Sequence, residues 1–261
     1  MSTTPPTDTS SLLGRLEGVA AYELRLAARR QLAGPMVELV LDGDLAGLGA
    51  LPGNDLMLAV PVEGGDGSFR RRYTIRQHLP GSSTLRLWID TSAGGPGSRW
   101  AAEAPIDSII EALGPRGKVS LDEMADWHLF IGDLSFLPAS LAMAEAIEAP
   151  GQVIIILEVD DPGDAIAPEL DEGIGVTFAV IERAGRALDD PAGLLAGLAA
   201  IELPTDEGHV YVGGELTVVA ALRAALRTRG LEGQVVDAKP YWRLGVANLA
   251  HGEPKKDDLA G

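Results

Sequence analysis

The run Val153-Ile154-Ile155-Ile156-Leu157-Glu158-Val159 constrains the fold more than any other stretch of this chain. All but Glu158 are apolar, and most are β-branched. A strand with no polar alternation has no face for water, so it belongs in the middle of a parallel sheet covered on both sides. The surrounding sequence alternates accordingly. His128–Ile131, Val176–Val180, His209–Val212 and Gln234–Val236 have strand character, while Phe136–Glu148, Ala187–Ala200 and Leu216–Arg229 have helical spacing. This alternation predicts a parallel sheet with helices on both faces.

Upstream of residue 122 the pattern is different. Met36–Leu41, Asp55–Val60, Arg72–Gln77 and Thr84–Ile89 are short apolar or alternating runs, separated by breaks such as Leu51-Pro52-Gly53-Asn54 and Pro80-Gly81-Ser82. Several short strands at this spacing predict an antiparallel barrel or sandwich, which Ser108–Leu113 and Gly117–Leu121 would close. Val19–Leu32 suits either a helix or a first barrel strand. The expected organisation is a leader at 1–11, a β-barrel domain at 12–122, an α/β domain at 123–245 and a tail at 246–261.

Composition narrows the function classes. The 261 residues carry a formal net charge of −17, and no cysteine is present. That excludes disulfides, thiolate metal sites and Cys nucleophiles. The acidity argues against nucleic acid and anionic membranes as partners, since both require a basic footprint. The four histidines are scattered without metal-ligand spacing, so no metal site is expected. The longest apolar run is too short to cross a bilayer and residues 1–11 lack a signal-peptide pattern, so a cytoplasmic protein is expected.

Against this acidity, Arg71-Arg72-Tyr73-Thr74-Ile75-Arg76 gathers cations around a ring and a hydroxyl. On a strand, Arg71 and Tyr73 share one face and Thr74 takes the other. A phosphate partner, a flat ring and a hydroxyl suit a flavin nucleotide; the plainer alternative is an edge strand with solvated arginines. In Gly94-Gly95-Pro96-Gly97-Ser98-Arg99-Trp100, Ser98 is the expected N-cap of a short helix whose backbone could cradle a pyrophosphate, unless Trp100 is simply a core anchor. Gly132-Asp133-Leu134-Ser135 and Gly213-Gly214-Glu215 each lead from a strand into a helix, where ligands of parallel sheets bind. Asp133 and Glu215 equally suit the role of complementing the helix that follows.

Taken in chain order, these motifs resemble the siderophore-interacting protein family, ferric-siderophore reductases within the ferredoxin-reductase-like flavoproteins. The resemblance runs from about Pro35 to Gly245 and includes Gly114-Pro115-Arg116-Gly117, Asp126-Trp127-His128, Leu137-Pro138-Ala139 and Tyr241-Trp242-Arg243-Leu244-Gly245. It implies an FAD-binding barrel followed by an NAD(P)-binding α/β domain, and a reaction in which NADH or NADPH reduces FAD and electrons pass to a ferric siderophore. By the same resemblance, Arg71 would neutralise the FAD pyrophosphate, Tyr73 would pack on the flavin, Thr74 would hydrogen-bond near its N5, and Arg76 would belong to the same cofactor-binding set. Gly95, Pro96, Gly97 and Ser98 would border the pyrophosphate with Trp100 close by. Asp133, Gly214 and Glu215 would border the nicotinamide side, and Trp242 would lie near the flavin–nicotinamide cleft; in a short tail after the last strand, its side chain suits either a lid over a flat ring or a seal at the base of the sheet. Thr74 and Trp242 are thus the expected catalytic residues.

The chain departs from the family at three points. Ile89-Asp90-Thr91-Ser92 stands where a His is usual, Leu134-Ser135 replaces a Glu-Thr pair, and Pro240 replaces a Gly. These departures keep two alternatives open: a reductase of the same fold with another electron acceptor, and a binding module without turnover. The sequence sets neither the siderophore nor the oligomeric state.

Overall fold

The computed structural model describes residues 19–62, 64, 67–117, 119–231 and 235–246; the expected leader, and the tail beyond Val246, lie outside them. The first half is a closed antiparallel barrel. Its strands are β1 (Ala21–Gln31), β2 (Met36–Asp42), β3 (Asp55–Pro61), β4 (Ser68–His78), β5 (Thr84–Asp90) and β6 (Ile109–Arg116), paired in the order β1-β2-β5-β4-β3-β6. A short helix, α1 (Pro96–Glu103), lies between β5 and β6. The ambiguous Val19–Leu32 is a strand: Leu24 and Leu26 alternate into the barrel core beside Leu39, Leu41, Leu56 and Leu58. That period of two decides against a helix. Gly117–Leu121, expected to close the barrel, does not form a strand among its described residues. Closure falls to β6, which pairs with both β1 and β3.

The second half is a five-stranded parallel sheet. Its strands are β7 (Trp127–Asp133), β8 (Gly151–Val159), β9 (Ile174–Glu182), β10 (Gly208–Glu215) and β11 (Val236–Trp242), in the order β11-β10-β7-β8-β9. The helices are α2 (Leu137–Ala144), α3 (Ala192–Ala200) and α4 (Leu216–Thr228). The apolar β8 is buried as its composition requires. Val153, Ile155 and Leu157 pack with α2 and with Met36 and Trp88 of the barrel, whereas Ile154 and Ile156 pack with α3 and α4. A β-barrel followed by a parallel sheet is the architecture the sequence predicts.

Several element limits differ from the sequence expectation, and three of them shape the parallel-sheet half. α2 stops at Ala144, where the chain breaks into turns on the way to Gly151. α3 begins only after Pro191, because the residue before a proline is disfavoured in the helical region and Ala187–Asp190 forms a turn instead. The last strand reaches Trp242 and pairs in parallel with β10 through Glu215↔Trp242, so Trp242 ends a strand and is not part of a tail.

Among the described residues, two ion pairs connect the halves. Lys239 of β11 bonds Asp55 of β3, and Arg76 of β4 bonds Glu145 after α2 while stacking 4.6 Å from the Trp88 ring.

Candidate functional site

A cavity of about 460 Å³ lies between the barrel and the parallel sheet. Arg71, Arg72, Tyr73 and Thr74 of β4 form part of its wall, together with Trp88, Ile89 and Asp90 of β5. The pleat separates the β4 side chains as expected. Tyr73 packs against the barrel core, while Thr74 lies on the opposite face with its cross-strand partner Asp55. Arg72 is committed to Asp55 at 2.7 Å. The Arg71 guanidinium lies 5.2 Å from the Phe69 ring, and its partial burial lowers its pKa from the usual arginine value. Burial likewise raises that of the Tyr73 phenol.

The N-terminus of α1 faces this strand. Its N-cap is Gly95 and not Ser98, and no side chain caps the first turn; Ser98 sits inside the helix. Pro96 has no N–H to satisfy, so the first-turn donors that the helix itself does not use are those of Gly97 and Ser98, residues that line the cavity. Gly97 is required by the packing. A Cβ there would lie 2.1 Å from the Tyr73 hydroxyl and 3.3 Å from Arg71 Cγ.

The third wall comes from the parallel sheet. β7 lies between β8 and β10, and the chain leaves β7 toward β8 but returns beyond it through β10. The carboxyl ends of β7 and β10 therefore form the topological switch point, where ligands of such sheets bind. Asp133 and Glu215 sit there. Asp133 is buried and accepts from Trp242 Nε1 at 3.0 Å and from Glu215 N at 2.9 Å. Burial raises its pKa despite these bonds. Gly214, at φ +131°, is needed because a Cβ would lie 2.5 Å from Asp133 Oδ2. Lys239, Tyr241, Trp242, Arg243 and Leu244 complete the wall, with Ser135 and Pro138 from the start of α2.

The structure gathers Arg71, Tyr73, Thr74, Gly95, Pro96, Gly97, Ser98 and Trp242 around one cleft. It does not bring Arg76, Trp100, Asp133, Gly214 or Glu215 to the lining. Arg76 is taken by Glu145 and Trp88, and Trp100 packs against the barrel core. Asp133 and Gly214 lie behind Trp242, while Glu215 caps α4 through Thr217 N and Val218 N. Sequence reasoning did not place Asp55 or Lys239 here. The alternation of Lys239 and Tyr241 before Trp242 was the available signal, hidden because β11 was expected to end at Val236. Asp90, noted only as a departure, lines the cleft with a carboxyl pushed up to about 6, chiefly by desolvation.

The family model described as "Siderophore-interacting protein" matches residues 125–245. The ferric vibriobactin reductase ViuB of Vibrio cholerae is 31% identical over 191 residues, covering 71% of this chain and 68% of that protein. This chain belongs to the siderophore-interacting protein family. Among solved structures, a siderophore utilization protein from T. fusca superimposes with a TM-score of 0.80 at 28% identity, covering 91% of this chain and 98% of its own. The ferredoxin reductase of carbazole 1,9a-dioxygenase aligns with a TM-score of 0.71 at 20% identity over 86% of this chain and 70% of its own, a likeness of fold alone. No helix among the described residues of this family member is long and apolar enough to cross a membrane.

Proposed function

We propose that this member of the family is an FAD-dependent oxidoreductase that uses NADH or NADPH to reduce a ferric siderophore, so that iron leaves as weakly held Fe(II). The observation that carries the reading is a convergence in one cleft: the Arg71-x-Tyr73-Thr74 strand, the uncapped N-terminus of α1, and Trp242 from the facing domain. Identity to a ferric vibriobactin reductase supports the same direction.

The donor set fits FAD. A guanidinium and the backbone N–H groups of an uncapped helix start suit a pyrophosphate, and Arg71, Gly97 and Ser98 would hold it. Tyr73 and Trp242 bring rings to the cleft lining, and Thr74 offers a hydroxyl. FAD, when bound, supplies the conversion of a two-electron hydride into single electrons. The protein's part is alignment and shelter. Asp55 pairs with both Arg72 and Lys239, and Arg71 lies beside Gly97 at the start of α1. Arg243, an exposed cation on the wall, gives an anionic ferric chelate a point of attraction in an otherwise acidic protein.

Anaerobic titration of the purified, FAD-supplemented protein tests this. A bound-flavin spectrum should appear and bleach with NADH or NADPH. A ferric siderophore should then restore it, with Fe(II) trapped by a coloured chelator. A protein that binds no FAD overturns the reading. One that bleaches but ignores every ferric chelate overturns the assignment of the acceptor.

A further inference from the structure

Asp133 looks like a ligand contact in the sequence, but its acceptor capacity is already occupied. A carboxylate offers about four lone-pair positions. Oδ1 accepts from Ser135 N at 2.9 Å and from the Ser135 hydroxyl; Oδ2 accepts from Glu215 N at 2.9 Å and from Trp242 Nε1 at 3.0 Å. Glu215 makes a second attachment close by. Its Oε2 caps α4, and its Oε1 accepts from Leu244 N at 3.2 Å. The chain from Trp242 to Leu244 is therefore gripped at both ends by two buried carboxylates at the switch point. A register irregularity between Gly214 and Glu215 sets Trp242 beside Glu215, and the missing Cβ of Gly214 lets the Asp133 carboxylate through.

The gripped segment is itself cleft wall: Trp242, Arg243 and Leu244 all line the cavity. We propose that Asp133 is a positioning residue that orients the Trp242 indole against the cleft, and that Glu215 clamps the strap beyond it, so neither carboxylate binds the nucleotide directly. The consequence for catalysis rests on the flavin reading above; the attachment itself does not. A swung indole changes how a nicotinamide seats against its acceptor, and a displacement of about 1 Å can cost on the order of 10²-fold in rate.

The test uses full-length protein with ¹⁵N-labelled indoles, the Trp242 resonance being assigned by its loss in Trp242→Phe. In Asp133→Ala, solvent exchange of the Trp242 indole should accelerate at least about tenfold as the protecting hydrogen bond is lost. The indoles of Trp88 and Trp127, bonded to Glu38 and to the Asp206 carbonyl, should not change. Asp133→Asn keeps an accepting oxygen and should retain most of the protection; it also carries the test if the alanine variant fails to fold. In FAD-loaded protein, Asp133→Ala should slow bleaching by NADH or NADPH by about tenfold or more while FAD affinity changes by less than about threefold, with Asn restoring the rate. Unchanged indole exchange in both variants overturns the proposal. Lost protection with an unchanged bleaching rate overturns the catalytic consequence. A protein that loses indole protection as expected but takes up no FAD leaves the pin standing and defeats the flavin reading instead.

Discussion

Lys239 Nζ lies 2.9 Å from Oδ2 of Asp55, whose other oxygen takes Arg72 Nη1 at 2.7 Å. The Asp55 side chain is 4% exposed, so one buried carboxylate on the barrel holds a cation from each domain. Removing the carboxylate leaves two partly buried cations without it, whereas removing Lys239 leaves Asp55 still paired with Arg72. Asp55→Ala should therefore cost about 3–5 kcal/mol and Lys239→Ala only about 1–2 kcal/mol. Urea denaturation of both variants checks the order, and equal losses would count against it.

At the other end of the sheet, His209 stands 3.2 Å from both Asp122 and Asp237. Burial alone would lower its pKa, but the two carboxylates outweigh burial and hold it above the ordinary imidazole value. The charged ring is thus favoured in the folded state. Its contribution is complete below about pH 6.5 and is lost as pH rises through the higher folded pKa. His128 works in the opposite direction, because burial lowers its pKa. Substituting one histidine isolates its share: the stability gap between wild type and His209→Gln should be widest near pH 6 and shrink toward pH 9 in thermal melts. A gap independent of pH would refute the charged pairing.

Asp90 makes the reverse experiment possible. Desolvation dominates its environment, with the nearby Asp133 adding to the upward shift and Ser92 and Arg183 opposing it, for a net value of about 6. A carboxyl with a raised folded pKa binds its proton more tightly in the native state, so stability falls as pH climbs from about 4 to about 6, and the penalty persists above. Two units correspond to roughly 3 kcal/mol at most. Asp90→Asn should melt higher than wild type at pH 8 and match it at pH 4.

Much of this architecture was legible in the sequence because burial leaves a period. The unbroken apolar run Val153–Val159 marked the central strand, and alternation in Met36–Leu41 and Thr84–Ile89 marked the barrel. The last strand was not legible. Pro240 and the charged pair Asp237 and Lys239 break the apolar pattern of β11, and their burial depends on partners far away in sequence, namely His209 and Asp55. The cleft divides in the same way. Arg71, Tyr73 and the Gly95–Ser98 turn are contiguous motifs, whereas the engagement of Arg76 with Glu145 and of Asp133 with Trp242 is tertiary, spanning 69 and 109 residues.

Arg71 and its neighbour Arg70 separate a site cation from a surface one. Arg71 lines the cavity beside Tyr73 and α1, whereas Arg70 is exposed and is not part of the lining. On the proposed function, Arg71→Ala should weaken FAD binding by about 1.5–3 kcal/mol, the range for a charge-assisted phosphate contact. Arg70→Ala should be near neutral. Calorimetric titration with FAD compares them, and equal losses would remove Arg71 from the site.

The closest packing in the cleft offers the sharpest test. A Cβ at Gly97 would lie 2.1 Å from the Tyr73 hydroxyl but 3.4 Å from the ring carbon bearing it, the latter an ordinary contact. Gly97→Ala should therefore push Tyr73 out of place and weaken FAD binding, although alanine is a better helix former than glycine. Tyr73→Phe removes only the clashing oxygen. In the Gly97→Ala/Tyr73→Phe double variant, much of the affinity lost by Gly97→Ala should return, giving a coupling energy of roughly 1–2 kcal/mol in the double-mutant cycle. Strictly additive losses would mean that the Tyr73 ring does not depend on the space Gly97 leaves for it.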